Sequence, residues 1–399
     1  MEHSQIRRGL IAGVLVTSMG VGPLIQWAFG ALGPYLTQDL GISRTQIGLL
    51  TSVIFVVAGV TSPWLGSLTD GLGTRTSLFG LFGLTAAATA MLAGAPGYAM
   101  VLVAAAVVGL PIALANPVSN RMIYEQLPDG QRGLLVGLKL SAIQLAAAIA
   151  GFVLPPAAAI WGWRGAMLLV LIPTALGAVL SARIPASRME EAGSPRREPR
   201  RRSAPATPVP ALLSWLPYYA FTMGMSHAIV PAYLPLYSFE NLGMAASVAG
   251  ATTGAMGTLG AISRVAWGRH LERIGVLVRP LRLIAAVAAG AILMILVAPV
   301  TTNAFVWIGA MLFGASAPVW NVAVMIAIVR HAPANEIGRL TGVLYMGFAA
   351  GFVVGPLGFG MVVDTTGSYA LGWILTLATC VVSIGLAHLR RNLERNLST

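Results

Sequence analysis

Acidic side chains are scarce in this 399-residue chain: 13 Asp and Glu stand against 25 Lys and Arg, and charged residues of both signs make up 10%. Soluble domains carry about a quarter charged residues. A 56% hydrophobic composition and a mean hydropathy of +0.79 describe a membrane protein instead. The single cysteine, Cys380, excludes an intrachain disulfide framework and a cysteine-built metal site. There is also a single lysine, Lys139. HExxH, a GxSxG elbow, a glycine-rich phosphate loop and an acid pair within an apolar run are all missing, which argues against an enzyme and against ATP use. No cofactor and no metal are expected. The net charge of +12 is not a nucleic-acid signature, because the arginines collect at helix ends and in one linker rather than along a face with interleaved aromatics. Anionic lipid headgroups are the expected partner of these charges.

What is present is a series of long apolar runs. About 20 apolar residues span roughly 30 Å of hydrocarbon, and twelve windows meet that need, at 9–36, 45–69, 76–94, 98–121, 133–158, 163–182, 212–237, 244–267, 280–299, 303–330, 339–362 and 369–390. Each reads as a helix, since only intra-segment hydrogen bonds satisfy the backbone in lipid. The fold class is therefore an all-α membrane protein of twelve transmembrane helices. With both termini cytoplasmic, the outer loops hold only Arg44 and Arg164 among the basic residues, as the positive-inside rule requires. A multi-pass protein of the cell (inner) membrane is the expectation. The run after Arg7-Arg8 is too long for a signal-peptide core, so the first helix is read as retained.

Residues 183–210, RIPASRMEEAGSPRREPRRRSAPATPVP, are rich in Pro, Arg, Ser and Ala and cannot bury enough surface to fold alone. They divide the chain into an N-terminal bundle, 1–182, and a C-terminal bundle, 211–399, joined by a disordered basic cytoplasmic linker. The two parts repeat each other. Pro117-Val118-Ser119-Asn120 is answered by Pro318-Val319-Trp320-Asn321, Gly151-Phe152-Val153 by Gly351-Phe352-Val353, and Gly66, Asp70 and Gly73 by Gly268, Glu272 and Gly275, at offsets between 200 and 202. Two pseudo-symmetric six-helix bundles follow.

GSLTDGLGTR, residues 66 to 75, contains Gly66, Asp70, Gly73 and Arg75, and GRHLERIG, 268 to 275, contains Gly268, Glu272, Arg273 and Gly275. Both resemble the loop motif of the major facilitator superfamily, as do GWR at 162–164 and DTTGSY at 364–369. The resemblance implies a transporter, with these loops latching the cytoplasmic side when the other side opens. Gly71 stands where that family usually has Arg. Small Gly66 and Gly268 are expected to let neighbouring helices approach closely, with Asp70 and Glu272 accepting hydrogen bonds or facing helix N-termini.

A charge within a span costs at least about 2.5 to 3.5 kcal/mol on insertion scales, so each is a candidate for cargo binding. Arg264 lies about five residues from the cytoplasmic end of span eight, close enough to snorkel. Yet it shares a helix face with Gly257, Gly260 and Gly268, a stripe that faces protein better than lipid. Its planar fork fits a carboxylate. Its spacing to Gly268 also resembles the eighth helix of monocarboxylate transporters and oxalate/formate antiporters, where that Arg pairs with the substrate carboxylate. Those relatives place an Asp four residues earlier, and here the position is Gly260.

Lys139, inside span five, either snorkels or adds a second cation from the N-terminal half, and Gln144 on the same helix is a cavity-lining candidate. His227 in span seven and Gln26 in span one occupy equivalent positions; His227 either titrates with the cargo or bonds a neighbouring helix. Asn116, Asn120 and Asn321 fit interhelical bonding or substrate contact, and Tyr345, Trp320 and Tyr233 are candidate cavity aromatics. The expected cargo is a small organic anion, a monocarboxylate, moved by symport or antiport through alternating access of a monomer. Drug or lipophile efflux is the alternative, and a transporter-like sensor a further one.

Overall fold

A computed structural model describes residues 2–126, 132–184, 213–274, 277–332 and 336–390, the side chains of 2–8, 132–134, 269, 272–274 and 329–331 excepted. The greater part of the expected linker, and Gly275 of the second loop motif, lie outside the described residues, as do the side chains of Glu272 and Arg273.

Among the described residues every regular element is helical. The first passage joins α1 (Glu2–Ala31) to the short α2 (Gly33–Leu40), and is followed by α3 (Arg44–Leu72), α4 (Thr74–Ala93) and α5 (Tyr98–Gln126). Passages five and six lie in α6 (Arg132–Leu168) and α7 (Leu171–Ala182), with the reversal inside α6 at Gly162, whose φ of +69° suits glycine. The second set is α8 (Leu216–Glu240), α9 (Ala246–Ile274), α10 (Val278–Val297), α11 (Ala304–Ser316) with α12 (Trp320–His331), α13 (Ile337–Thr366) and α14 (Tyr369–Leu389). Among the described residues nine stretches are long and apolar enough to cross a membrane; one of them, 135–182, holds two passages. Helices α8 and α9 complete the twelve, and α8 is buried along most of its length.

The N-terminal and C-terminal sets meet along α6 against α9 and α3 against α13, with α1 beside α8. Glycine makes these crossings close. A Cβ at Gly151 of α6 would stand 2.0 Å from the backbone nitrogen of Gly254 of α9, and one at Gly48 of α3 would stand 2.3 Å from the Pro356 carbonyl oxygen of α13. Backbone packs directly on backbone here, the small-residue packing that membrane helices favour.

One end of this seam is tied by polar contacts. Asp364 accepts the backbone N–H groups of Arg44 and Thr45 at 3.1 and 2.8 Å, capping α3 from the opposite half. Arg44 reaches both carboxylate oxygens of Glu240, at 3.2 and 2.9 Å, and Tyr369 donates to the same carboxylate at 2.7 Å. The Tyr233 hydroxyl lies 2.7 Å from the carbonyl oxygens of both Arg44 and Pro356. Tyr233 thus belongs to the closed seam, which corrects its reading as a cavity aromatic. Exposed ion pairs contribute about 0–1 kcal/mol, so the glycine-lined contact carries more of the seal than Arg44–Glu240 does.

The GWR turn is tied at the same end. Trp163 and Arg164 donate to Asp39 at 2.9 and 2.5 Å, and Arg164 donates to the Ala95 carbonyl at 2.9 Å. The Trp163 and Arg164 hydrogen bonds hold the Asp39 carboxyl below its ordinary range. Its contribution is therefore present above the ordinary carboxylate pKa and is lost as pH falls through the lowered one.

The opposite end is open. A Cβ at Gly59, Gly66, Gly137 or Gly268 would meet nothing within 4 Å. The expectation that Gly66 and Gly268 mediate close helix approach is thereby corrected: the helices have diverged at that end, and no neighbour presses on either glycine. The loop motif itself is ordered within its own half. Gly73 turns at φ +83°, Arg121 donates to the Thr69 carbonyl at 2.5 Å and to Glu125 at 2.6 Å, and Thr74 donates to Glu125 at 2.8 Å. Asp70 is exposed and Arg75 sits 6.0 Å from the Phe79 ring centroid.

Gly151→Leu is expected to lower stability by about 1–3 kcal/mol through overpacking, whereas Gly59→Leu stays within about 0.5 kcal/mol. Thermal denaturation of the purified variants in one detergent measures both, and equal midpoints would show that the seam tolerates side chains.

Candidate functional site

The seam stops part-way along the helices, and the buried polar side chains gather where it stops. On the α3–α13 side Phe55 packs on Phe352 there, ring centroids 4.2 Å apart. On the α6–α9 side Arg264 donates to the Leu140 carbonyl of α6 at 2.7 Å.

Passage ten is broken at this level. Residues Ala317–Val319 form a 3-10 turn between α11 and α12. Pro318 has no N–H, so the Gly314 carbonyl loses its helical donor. Ser263 reaches that oxygen at 3.5 Å. Arg264 donates to the Pro318 carbonyl from Nε at 3.3 Å and from Nη2 at 3.1 Å. Irregular backbone at membrane depth is tolerated only where protein or a cavity satisfies it, and broken helices at the midplane are where transporters of this kind bind cargo.

Arg264 is 9% exposed and its three hydrogen bonds go to two neutral carbonyls in two other helical passages, one in each half. It does not snorkel. Among the described residues the ion pairs are Arg44–Glu240, Arg121–Glu125, Arg164–Asp39 and Arg339–Glu336, and none involves Arg264. Gly260, one turn away, also acquires a reason: a Cβ there would stand 2.7 Å from Gln144 Oε1. The amide of Gln144 fills the space in which a side chain at 260 would begin.

Lys139 is 3% exposed, so the snorkelling alternative is overturned. It donates to Ser119 at 3.1 Å and also to Asn120 Oδ1, both on α5. Gln144 is buried with Nε2 unpaired, and His227 and Asn321 keep Nδ1 and Oδ1 unpaired. Gln26 is buried one residue before Trp27, whose ring stands 6.0 Å from His227. Asn116 is half-buried, its carbonyl accepting from Ser119 at 3.1 Å. Tyr345 is 47% exposed and packs on Phe348 at 6.4 Å, within coulombic range of Arg264. Trp320 lies 5.4 Å from Phe348.

Sequence reasoning missed the aromatic surround. Trp27, Phe313, Phe348 and Phe352 place their rings 5.6 to 6.5 Å from His227. Tyr345, Phe348 and Phe352 recur at i, i+3 and i+7 on α13, a spacing visible beforehand but not distinguishable from a lipid-facing stripe. Among the described residues no group of His, Cys, Asp and Glu could hold a metal ion. What the arrangement can do chemically is take an anion at Arg264, between two halves that part on one side of it.

The comparisons agree with that reading at the level of fold. The chain is 24% identical to the probable sulfoacetate transporter SauU of Cupriavidus necator, over 92% of this chain and 90% of the relative. It is 21% identical to the hexuronate transporter of Bacillus subtilis, over 87% and 86%. A solved structure of a bacterial homologue of the human lysosomal transporter Spinster, inward-facing and unoccupied, superposes with a TM-score of 0.76 at 13% identity, covering 98% of both chains. Residues 10–356 match the Major Facilitator Superfamily as a whole. With its twelve helical passages, broken tenth passage and half-closed seam, the chain is a membrane transporter of the Major Facilitator Superfamily and not an enzyme.

Proposed function

We propose that this protein is a secondary transporter of a small organic anion, bound through a carboxylate at Arg264 and moved by alternating access. The observation that carries the reading is a buried, permanently charged guanidinium bonded, among the described residues, only to neutral carbonyls. An uncompensated buried ion costs several kcal/mol, and an anionic cargo removes that cost when it binds. Carboxylates also stand in the names of the relatives, sulfoacetate and hexuronate. The reading requires one carboxylate on the cargo, and Arg264 by itself takes it.

The two sets of six helices, before and after the linker, act in this reading as the two moving bodies. The arginine distribution puts both termini and the open end at the cytoplasmic face of a bacterial inner membrane, so the described conformation opens inward. The clasp of Arg44, Asp364, Glu240 and Tyr233 is then the outer gate.

In a thermal-shift panel of small carboxylates, amines and neutral solutes, only carboxylates are expected to raise the unfolding temperature of the purified protein. Arg264→Ala should lose about 2 to 5 kcal/mol of that binding, more than about thirtyfold in affinity, while remaining monodisperse. Arg264→Lys keeps the charge without the fork and should recover only part of it. A response confined to amines or neutral solutes sinks the anion reading. For the gate, Asp364→Ala should raise several-fold the rate at which an impermeant thiol reagent, added from outside, labels a Cys380→Ala protein carrying Ser52→Cys, at the buried α3 position whose hydroxyl donates to the Val353 carbonyl of α13 at 2.6 Å. An unchanged rate would remove Asp364 from the gate.

A further inference from the structure

The two buried cations are held in parallel ways. Each contacts one copy of the repeated Pro-Val-X-Asn segment: Lys139 donates to Ser119 and Asn120 of the first copy, Arg264 to the Pro318 carbonyl of the second. They also share a level. Arg264 bonds the carbonyl of Leu140, the residue that follows Lys139. Lys139 belongs to the N-terminal half and Arg264 to the C-terminal half, so the two residues lie on opposite sides of the seam, one residue apart in level through Leu140.

Neither cation has a carboxylate partner among the described residues. Both Lys139 contacts are neutral oxygens, which leave one of its three N–H donors unused. Asn120, which receives one of them, is exposed. Helices α5 and α6 make few direct contacts, and Lys139 spans the gap between them beside Met19 of α1, to which Ser119 also bonds at 3.5 Å. A lysine serving only to join two helices needs no charge; a glutamine would make the same two bonds without the desolvation cost. A monoanion on Arg264 would leave the Lys139 charge uncompensated, whereas a cargo with two acidic groups neutralises both and draws the halves together.

We infer that Lys139 is a specificity-determining residue, forming with Arg264 a two-cation site for a small cargo that carries a second acidic group besides the carboxylate. This rests on the assignment of Arg264 as the carboxylate anchor. The two acids lie at the ends of a chain of a few atoms, as in a short dicarboxylate or a sulfonated carboxylate. Arg264 takes the planar carboxylate and the ammonium takes the second group as a point charge.

The test is a thermal-shift titration of the full chain with propionate, malonate and sulfoacetate, repeated on Lys139→Gln, Lys139→Arg and Arg264→Ala. The wild type should respond to malonate or sulfoacetate at a concentration at least about tenfold below that for propionate. Lys139→Gln should erase that preference by weakening the dianions and leaving propionate within about threefold, which is less than 1.4 kcal/mol. Lys139→Arg should restore the preference, which a purely structural role would not do, and it carries the test if the glutamine variant fails to fold. Equal weakening of all three acids in Lys139→Gln, or a wild type that prefers propionate, overturns the second subsite while leaving the Arg264 anchor in place. Full binding by Arg264→Ala overturns the anchor itself.

Discussion

The guanidinium of Arg264 ends the seam between the two halves and spans the break in passage ten, and the rest of the central arrangement depends on it. It closes the Pro318 carbonyl that the broken helix leaves open, and it reaches the Leu140 carbonyl across the interface. Because its own charge remains uncompensated, the same group that completes the backbone bonding makes the site receptive to an anion. In the proposed function, structural satisfaction and cargo affinity reside in this one side chain.

Symmetry of sequence does not extend to symmetry of structure. Pro117 and Pro318 occupy equivalent positions, yet α5 runs unbroken through Pro117 while passage ten is interrupted at Ala317–Val319. The difference lies in what faces the freed carbonyls. At the second copy Arg264 and Ser263 approach backbone oxygens and hold the break open; at the first, Lys139 bonds the Ser119 and Asn120 side chains and leaves the helix intact. The local sequence carries a proline in both places, and the neighbouring helix decides its effect.

The two ends of the molecule divide the work. At the closed end, glycines bring backbone against backbone and a small set of charges borders the seam. At the open end the loop motif holds its shape through Arg121 and Glu125 of its own half, with Gly66 free of neighbours. A glycine kept without present contact suits a surface that packs only when the halves rock the other way.

Membrane location, the number of helices, the repeat and the shortlist of intramembrane charges were legible in the residues, because lipid forces the backbone into helices and makes each buried charge conspicuous. The vacancy at Gly260 was legible too, but its cause, the Gln144 amide filling that space, needed the α6–α9 crossing. The aromatic surround of His227, the closed-seam role of Tyr233 and the direction of Lys139 depend on which face of each helix meets which neighbour. In an apolar span nearly every face is hydrophobic, so periodicity does not separate the lipid side from the protein side. The sequence by itself determined that the chain is a bundle of twelve membrane helices with a few cations inside the apolar runs. Only the tertiary structure decided where those cations point, since that is set by backbone carbonyls brought together from segments more than a hundred residues apart.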